Sequence, residues 1–137
     1  MGNKLGIDLG GTKIEAVIIN DAFQVVERKR VPTNREEGYD AILGRIVKLA
    51  HELMEVGNVD GPIGICTPGA IDFQTGTLKN SNTVCLIDKP LKSDLESALS
   101  LPILMENDAN CFALAEAILG AAKDYRLVFG VVLGTGC

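Results

Sequence analysis

The chain has 137 residues, 47% of them hydrophobic and 23% charged, with a net charge of −5 and a pI near 4.8. That is the composition of one folded globular unit, which buries roughly two-thirds of the surface its unfolded form exposes, and it excludes intrinsic disorder. The acidic balance leaves no basic stripe for nucleic acid or an anionic membrane, and no apolar run approaches the ~20 residues needed to cross a bilayer.

Residues 4–9 read as an apolar strand that follows Met1 without a signal-peptide pattern, so the expected location is the cytoplasm. Gly10-Gly11 punctuates the run, and 14–19 reads as a second strand before the turn residues Asn20-Asp21. Paired glycines let a backbone approach an anion closely, and successive N–H groups in a tight turn form an anion-binding nest. Gly10, Gly11, Thr12 and Lys13 are therefore candidates for phosphate, and Asp8, at the strand end, for the metal that accompanies a nucleotide. The same segment also reads as a plain hairpin with a solvated lysine. Neither Walker A spacing nor GxGxxG is present.

A third strand spans 25–31 and ends at Pro32, after which apolar residues recur at helical spacing between about 36 and 56, closing at Gly57. Residues 62–66 form a short buried strand. It opens into a polar loop and hairpin-like excursion, 67–83, whose Asn, Ser and Thr residues supply donors and acceptors that suit a polyhydroxylated ligand, although ordinary loops use the same residues. A helix over 91–99, a strand over 103–105 and an alanine-rich helix ending near Gly120 follow. Between that strand and helix stand Asn107 and Asp108. A carboxylate there points out of the end of the sheet and is able to take a proton from a hydroxyl, while either residue also suits a simple helix N-cap.

Residues 127–133 are apolar except for Gly130 and read as a last strand running into Gly134, Thr135 and Gly136, a turn that offers N–H groups to a phosphate. Such a strand normally feeds another element, and an unpartnered one is an aggregation liability, so the expectation is that the native polypeptide continues. Cys66, Cys85, Cys111 and Cys137 stand far apart without paired ligand spacing, and the single histidine is His51. In a cytoplasmic protein these cysteines read as reduced thiols, not as a metal or disulfide framework.

Four blocks, DLGGTK, CTPGAIDFQTGTLKNSNT, ENDANCFALAEA and LGTGC, occur in the order and approximate spacing of the ROK family of sugar kinases and related repressors, and the chain resembles that family over essentially its whole length. KNSNT and the Pro-Leu pair before the 91–99 helix are most similar to its fructokinase-like hexose kinases. The resemblance implies an α/β fold: an actin/hexokinase-like (ribonuclease H-like) domain over 1–122 with a mixed sheet in the order βββαβαβα. Residues 123–137 then begin a second domain with its first strand.

It further implies ATP-dependent phosphorylation of a free hexose hydroxyl, the 6-hydroxyl of a fructose, glucose or mannose type sugar. Asp108 is implied as the base, and Asn107, Gly69, Asn80 and Asn82 as sugar contacts. Gly10, Gly11, Thr12, Lys13, Gly134, Thr135 and Gly136 would face the ATP phosphates, with Asp8 near Mg2+. The family's Glu-x-Gly-His segment, structural zinc motif and adenosine pocket lie beyond Cys137, so these residues alone are expected to turn over ATP poorly. Partners on this reading are hexose and ATP, with no nucleic acid and no membrane, and a homodimer is a candidate assembly through the other half. A ROK repressor and a non-catalytic sugar-binding module are the alternatives. The repressors place a helix-turn-helix ahead of the DLGGTK block, and that block begins here at Asp8.

Overall fold

The computed structural model describes residues 2–59 and 61–133 and builds the fold on a sheet whose inner face alternation alone decides. In β1 (Lys4–Leu9), Leu5, Ile7 and Leu9 are buried and the intervening positions turn to the other face; β2 (Lys13–Ile19) repeats this with Ile14, Ala16 and Ile18. β3 (Val25–Pro32) is an exposed edge strand, and its run Glu27, Arg28, Lys29, Arg30 blunts an edge that would otherwise pair with another chain.

After a single 3-10 turn, Arg35–Glu37, and Gly38 with a φ of +87°, helix α1 (Tyr39–Gly57) lays Ile42, Ile46, Leu49 and Leu53 on the sheet. Each such side chain contributes roughly 1.5–3 kcal/mol by leaving water. The helix ends on a glycine for a steric reason. A Cβ at Gly57 would stand 2.1 Å from Cδ1 of buried Ile18, so the missing side chain lets the last turn rest against β2.

β4 (Ile63–Thr67) returns parallel to β1, and the polar excursion that follows holds a small hairpin, β5 (Ala70–Ile71) with β6 (Leu78–Lys79), and a 3-10 turn, Val84–Leu86. Helix α2 (Leu91–Leu99) buries Leu91, Leu95 and Leu99. β7 (Ile103–Asn107) joins β4 in parallel, and α3 (Asp108–Ile118) leaves from its end. The main sheet runs β3-β2-β1-β4-β7, antiparallel in its first half and parallel in its second. The expected mixed α/β architecture is thus present, with the β5–β6 hairpin as an addition.

α1 and α2 cover one face of the sheet. The other carries Val17, Gly6, Gly64 and Leu104 in one register row and is bordered by α3, none of whose residues is buried.

The expected strand over 127–133 is not formed. Leu127, Phe129 and Leu133 are 91%, 89% and 79% exposed, and no ladder reaches them among the described residues. A strand exists only through a hydrogen-bonded neighbour, and apolarity without that neighbour does not make one. Gly134, Thr135 and Gly136 lie outside the described residues.

Candidate active site

Three parallel strands end at one edge of the sheet, and the candidate residues gather there because of register. Asp8 in β1 is paired across the sheet with Cys66 in β4, and Cys66 with Glu106 in β7, so one step further on Thr67 faces Asn107. The β1–β2 turn, the loop after β4 and the start of α3 therefore open on the same side, the position at which open α/β sheets place ligands.

The turn is built so that its carbonyls face inward. The Gly10 N–H donates to the Lys13 carbonyl at 2.9 Å, the Thr33 N–H donates to the Thr12 carbonyl at 2.9 Å, and the Thr33 hydroxyl donates to the Gly10 carbonyl at 2.7 Å. Among the described residues the N–H groups of Gly11 and Thr12 have no protein acceptor. Two adjacent unpaired donors at a partly exposed turn are the groups from which an anion nest is made. Gly10 is required by space, since a Cβ there would lie 2.8 Å from the Lys13 carbonyl oxygen. Beside the turn, 3.6 Å from where a Cβ of Gly11 would stand, is the hydroxyl of Thr83, which is buried and has no hydrogen-bond partner among the described residues.

Gly69 ties the other candidates together. Its carbonyl accepts from Asn107 Nδ2 at 3.0 Å and from the Thr67 hydroxyl at 3.2 Å, and a Cβ on it would press within 2.6 Å of the Lys79 carbonyl oxygen and 3.2 Å of Ser81 Cα. The segment that follows alternates outward and inward: Asn80 and Asn82 are exposed, Ser81 and Thr83 buried, and Asn80 adopts the left-handed conformation (φ 55°) that asparagine tolerates. Asn82 borders a hollow with Arg35, Glu36, Val84 and Cys85.

The capping question is settled by geometry. Asn107 is the N-cap of α3, its Oδ1 accepting from the Ala109 N–H at 3.0 Å while its amide reaches Gly69. Asp108 is the first helical residue, exposed, with Oδ1 taking the same Ala109 N–H at 2.8 Å and Oδ2 free of protein donors among the described residues. The cap and the free carboxylate are different residues.

Asp8 is held above the usual carboxylate range, first by burial of its carboxyl, then by the charges of Asp108 and Glu15, with Lys13 opposing them. Raising a carboxylate's pKa in the fold costs stability as pH rises from its unfolded value, near 3.8, through the raised folded one. Asp8→Asn should therefore raise the melting temperature at pH 7, and the gain should vanish as pH falls toward 3.8. Thermal melts of both forms across that window check this, and an equal difference at every pH would refute it.

ATP with Mg2+ fits this edge on its donor set. The nest and Lys13 would take phosphate oxygens, and two carboxylates that repel each other, Asp8 and Asp108, would be relieved by a divalent cation. Among the described residues no cluster of three or more metal-ligating side chains exists. Sequence reasoning missed Thr33, an isolated threonine that belongs to no motif, and gave no role of its own to Thr83, the last residue of the CTPGAIDFQTGTLKNSNT block. It also missed that Cys66 and Cys111 are neighbours. Burial, then the hydrogen-bonded Cys111 thiol, pushes Cys66 well above the usual thiol range, and the three described cysteines are free thiols as expected. No described helix is long and apolar enough to cross a membrane.

Comparison with known proteins gives the family and the fold. The model of the ROK family matches residues 4–137. The chain is 41% identical over 131 residues to an N-acetyl-D-glucosamine kinase of Citrobacter koseri, covering 96% of this chain and 43% of that one. Among solved structures, a ROK hexokinase from Thermus thermophilus superposes with a TM-score of 0.76 at 37% identity, over 88% of this chain and 40% of the other. A ROK family glucokinase from Streptomyces griseus, in complex with glucose and AMPPNP, gives 0.77 at 29% identity, over 88% and 38%. The chain thus spans about two-fifths of the length of these relatives.

Proposed function

The chain belongs to the ROK family, and on that premise we propose that it forms the sugar- and phosphate-facing wall of an ATP-dependent sugar kinase. The observation that carries this reading is the convergence, on one sheet edge, of an anion nest at Gly11 and Thr12 with a free carboxylate at Asp108. Phosphoryl transfer asks chiefly for positioning and charge neutralisation, and these groups supply both.

In the proposed reaction Asp108 accepts the proton of the attacking sugar hydroxyl, the 6-hydroxyl of a hexose. Asn107, fixed between the Ala109 N–H and the Gly69 carbonyl, sets the direction in which α3 presents that carboxylate. Gly69, Asn80, Asn82 and the remaining valences of Asn107 are the sugar contacts of this reading. Gly10, Gly11, Thr12 and Lys13 hold phosphate, with Asp8 toward the magnesium ion. When bound, the nucleotide supplies the phosphoryl group and the metal the neutralising charge.

Residues 1–122 act on this reading as one lobe, and the exposed apolar segment 127–133 begins a second. Gly134, Thr135 and Gly136 are further phosphate contacts of this reading. ATP turnover by these residues alone, which span about two-fifths of the length of the relatives, is expected to be slow.

The identity of 41% to an N-acetyl-D-glucosamine kinase puts that amino sugar at the head of the substrate panel, ahead of glucose, mannose and fructose. The test is ADP release from MgATP with each sugar, by this chain and by a form extended to the length of its relatives. Sugar-dependent release by the extended form, at least tenfold above the sugar-free rate, is expected. Its absence with every sugar would overturn the kinase reading and leave a binding module. A likeness to a ROK transcriptional regulator at 20% identity speaks to the fold alone.

A further inference from the structure

The β1–β2 turn owes its open donors to a residue that lies 23 positions beyond Gly10. Thr33 is fully buried, directly after β3, and it contacts the turn twice: its N–H bonds the Thr12 carbonyl and its hydroxyl bonds the Gly10 carbonyl. The first bond continues the β2–β3 ladder past Lys13 and Pro32, and any residue would make it. The second needs a hydroxyl. With the Gly10 N–H already committed to Lys13, the Thr33 hydroxyl fixes the peptide that joins Gly10 to Gly11, and that peptide's own N–H, on Gly11, is one of the two unpaired donors of the nest. A peptide unit is planar, so holding its carbonyl inward aims its N–H outward.

Thr33 is itself braced. Its carbonyl accepts from Arg45 Nη1 at 2.9 Å, and Arg45, on α1, is ion-paired with Glu37. The turn is thus linked through one threonine to the helix on the covered face of the sheet.

We propose that Thr33 is a positioning residue for phosphate binding: its hydroxyl orients the Gly10–Gly11 peptide so that the Gly11 and Thr12 N–H groups converge on a phosphate oxygen. The proposal rests on the phosphate reading of the turn. It assigns Thr33 no contact with substrate.

The test compares Thr33→Val, which keeps the shape and removes the hydroxyl, with Thr33→Ser, which keeps the hydroxyl, and Thr33→Ala as a second variant lacking it. Amide NMR signals of Gly11 and Thr12 in this chain are followed without ligand and on titration with inorganic tripolyphosphate. The valine and alanine forms are expected to displace both signals before any ligand is added and to weaken tripolyphosphate binding roughly tenfold, about what one hydrogen bond from a donor no longer held toward the phosphate is worth. The serine form should restore both. In the extended enzyme the valine change should raise KM for MgATP about tenfold and leave KM for sugar within twofold, a split that general loss of stability does not produce.

Unchanged Gly11 and Thr12 signals in folded Thr33→Val would overturn the clamp whatever the protein binds. Wild-type signals that ignore tripolyphosphate would remove the turn's anion role and the clamp's purpose with it. Tripolyphosphate binding that depends on Thr33, in a protein showing no sugar-dependent ADP release, would sustain the clamp and sink the kinase reading instead.

Discussion

Replacing Asp108 by asparagine is expected to lower kcat of the extended enzyme by about 10²–10⁴-fold, the range of a positioned general base. The substitution changes little else at that position. Asparagine keeps the side-chain oxygen that accepts from the Ala109 N–H, and the N-cap of α3 is Asn107, so the helix start survives. Removing the Asp108 charge also relieves Asp8, whose pKa that charge helps to raise, so the variant should melt no lower than the parent at neutral pH. An intact fold with a collapsed kcat is the signature expected from initial rates and thermal melts together. A kcat within a few-fold of the parent would remove Asp108 from the role of base.

The separation of the cap from the exposed carboxylate shows where the sequence stops being readable. Asn107 and Asp108 both suit a cap by residue type, and only the fold, which sets Thr67 opposite Asn107 and brings Gly69 to the asparagine amide, shows that Asn107 is the cap. The elements whose burial follows a period were legible: Leu5, Ile7 and Leu9 announce a strand, and Ile42, Ile46, Leu49 and Leu53 a helix. The β5–β6 hairpin was legible only as a hairpin-like stretch within 67–83, because strands of two residues are too short to alternate and so to give their bounds. β7 runs two residues past its apolar stretch because β4 supplies ladder partners for Glu106 and Asn107, and pairing of that kind leaves no mark in local composition.

The segment 127–133 errs the other way. Its apolar run carries a strong strand signal, but a strand is a relation between two segments and here the second is not among the described residues. The β1–β2 turn was visible as Gly10-Gly11. The threonine that aims it was not, since Thr33 is adjacent in space only through the β2–β3 pairing.

Gly69→Ala is expected to be the most damaging single-methyl change at the site. A Cβ at this position would stand 2.6 Å from the Lys79 carbonyl oxygen, 3.1 Å from Ser81 Cβ and 3.2 Å from Ser81 Cα, and two of those three contacts are backbone, which has no rotamer to yield. Either the loop after β4 retreats or the 79–82 segment does. Retreat of the loop carries the Gly69 carbonyl away from Asn107 Nδ2 and loosens the cap that aims Asp108; retreat of the segment displaces Asn80 and Asn82. Both routes disturb the sugar side of the cleft.

Overpacking of this kind costs about 1–3 kcal/mol of stability, and a misplacement near 1 Å in a reacting constellation costs about 10²-fold in rate. The expected result is a lowered melting temperature and a kcat/KM for sugar reduced about 10²-fold, with KM for MgATP changed far less, because the β1–β2 turn is held by Thr33 and does not depend on Gly69. The opposite split, a raised KM for MgATP with the sugar parameters intact, would show that the loop after β4 serves the nucleotide and that the assignment of the two sides of the cleft is reversed.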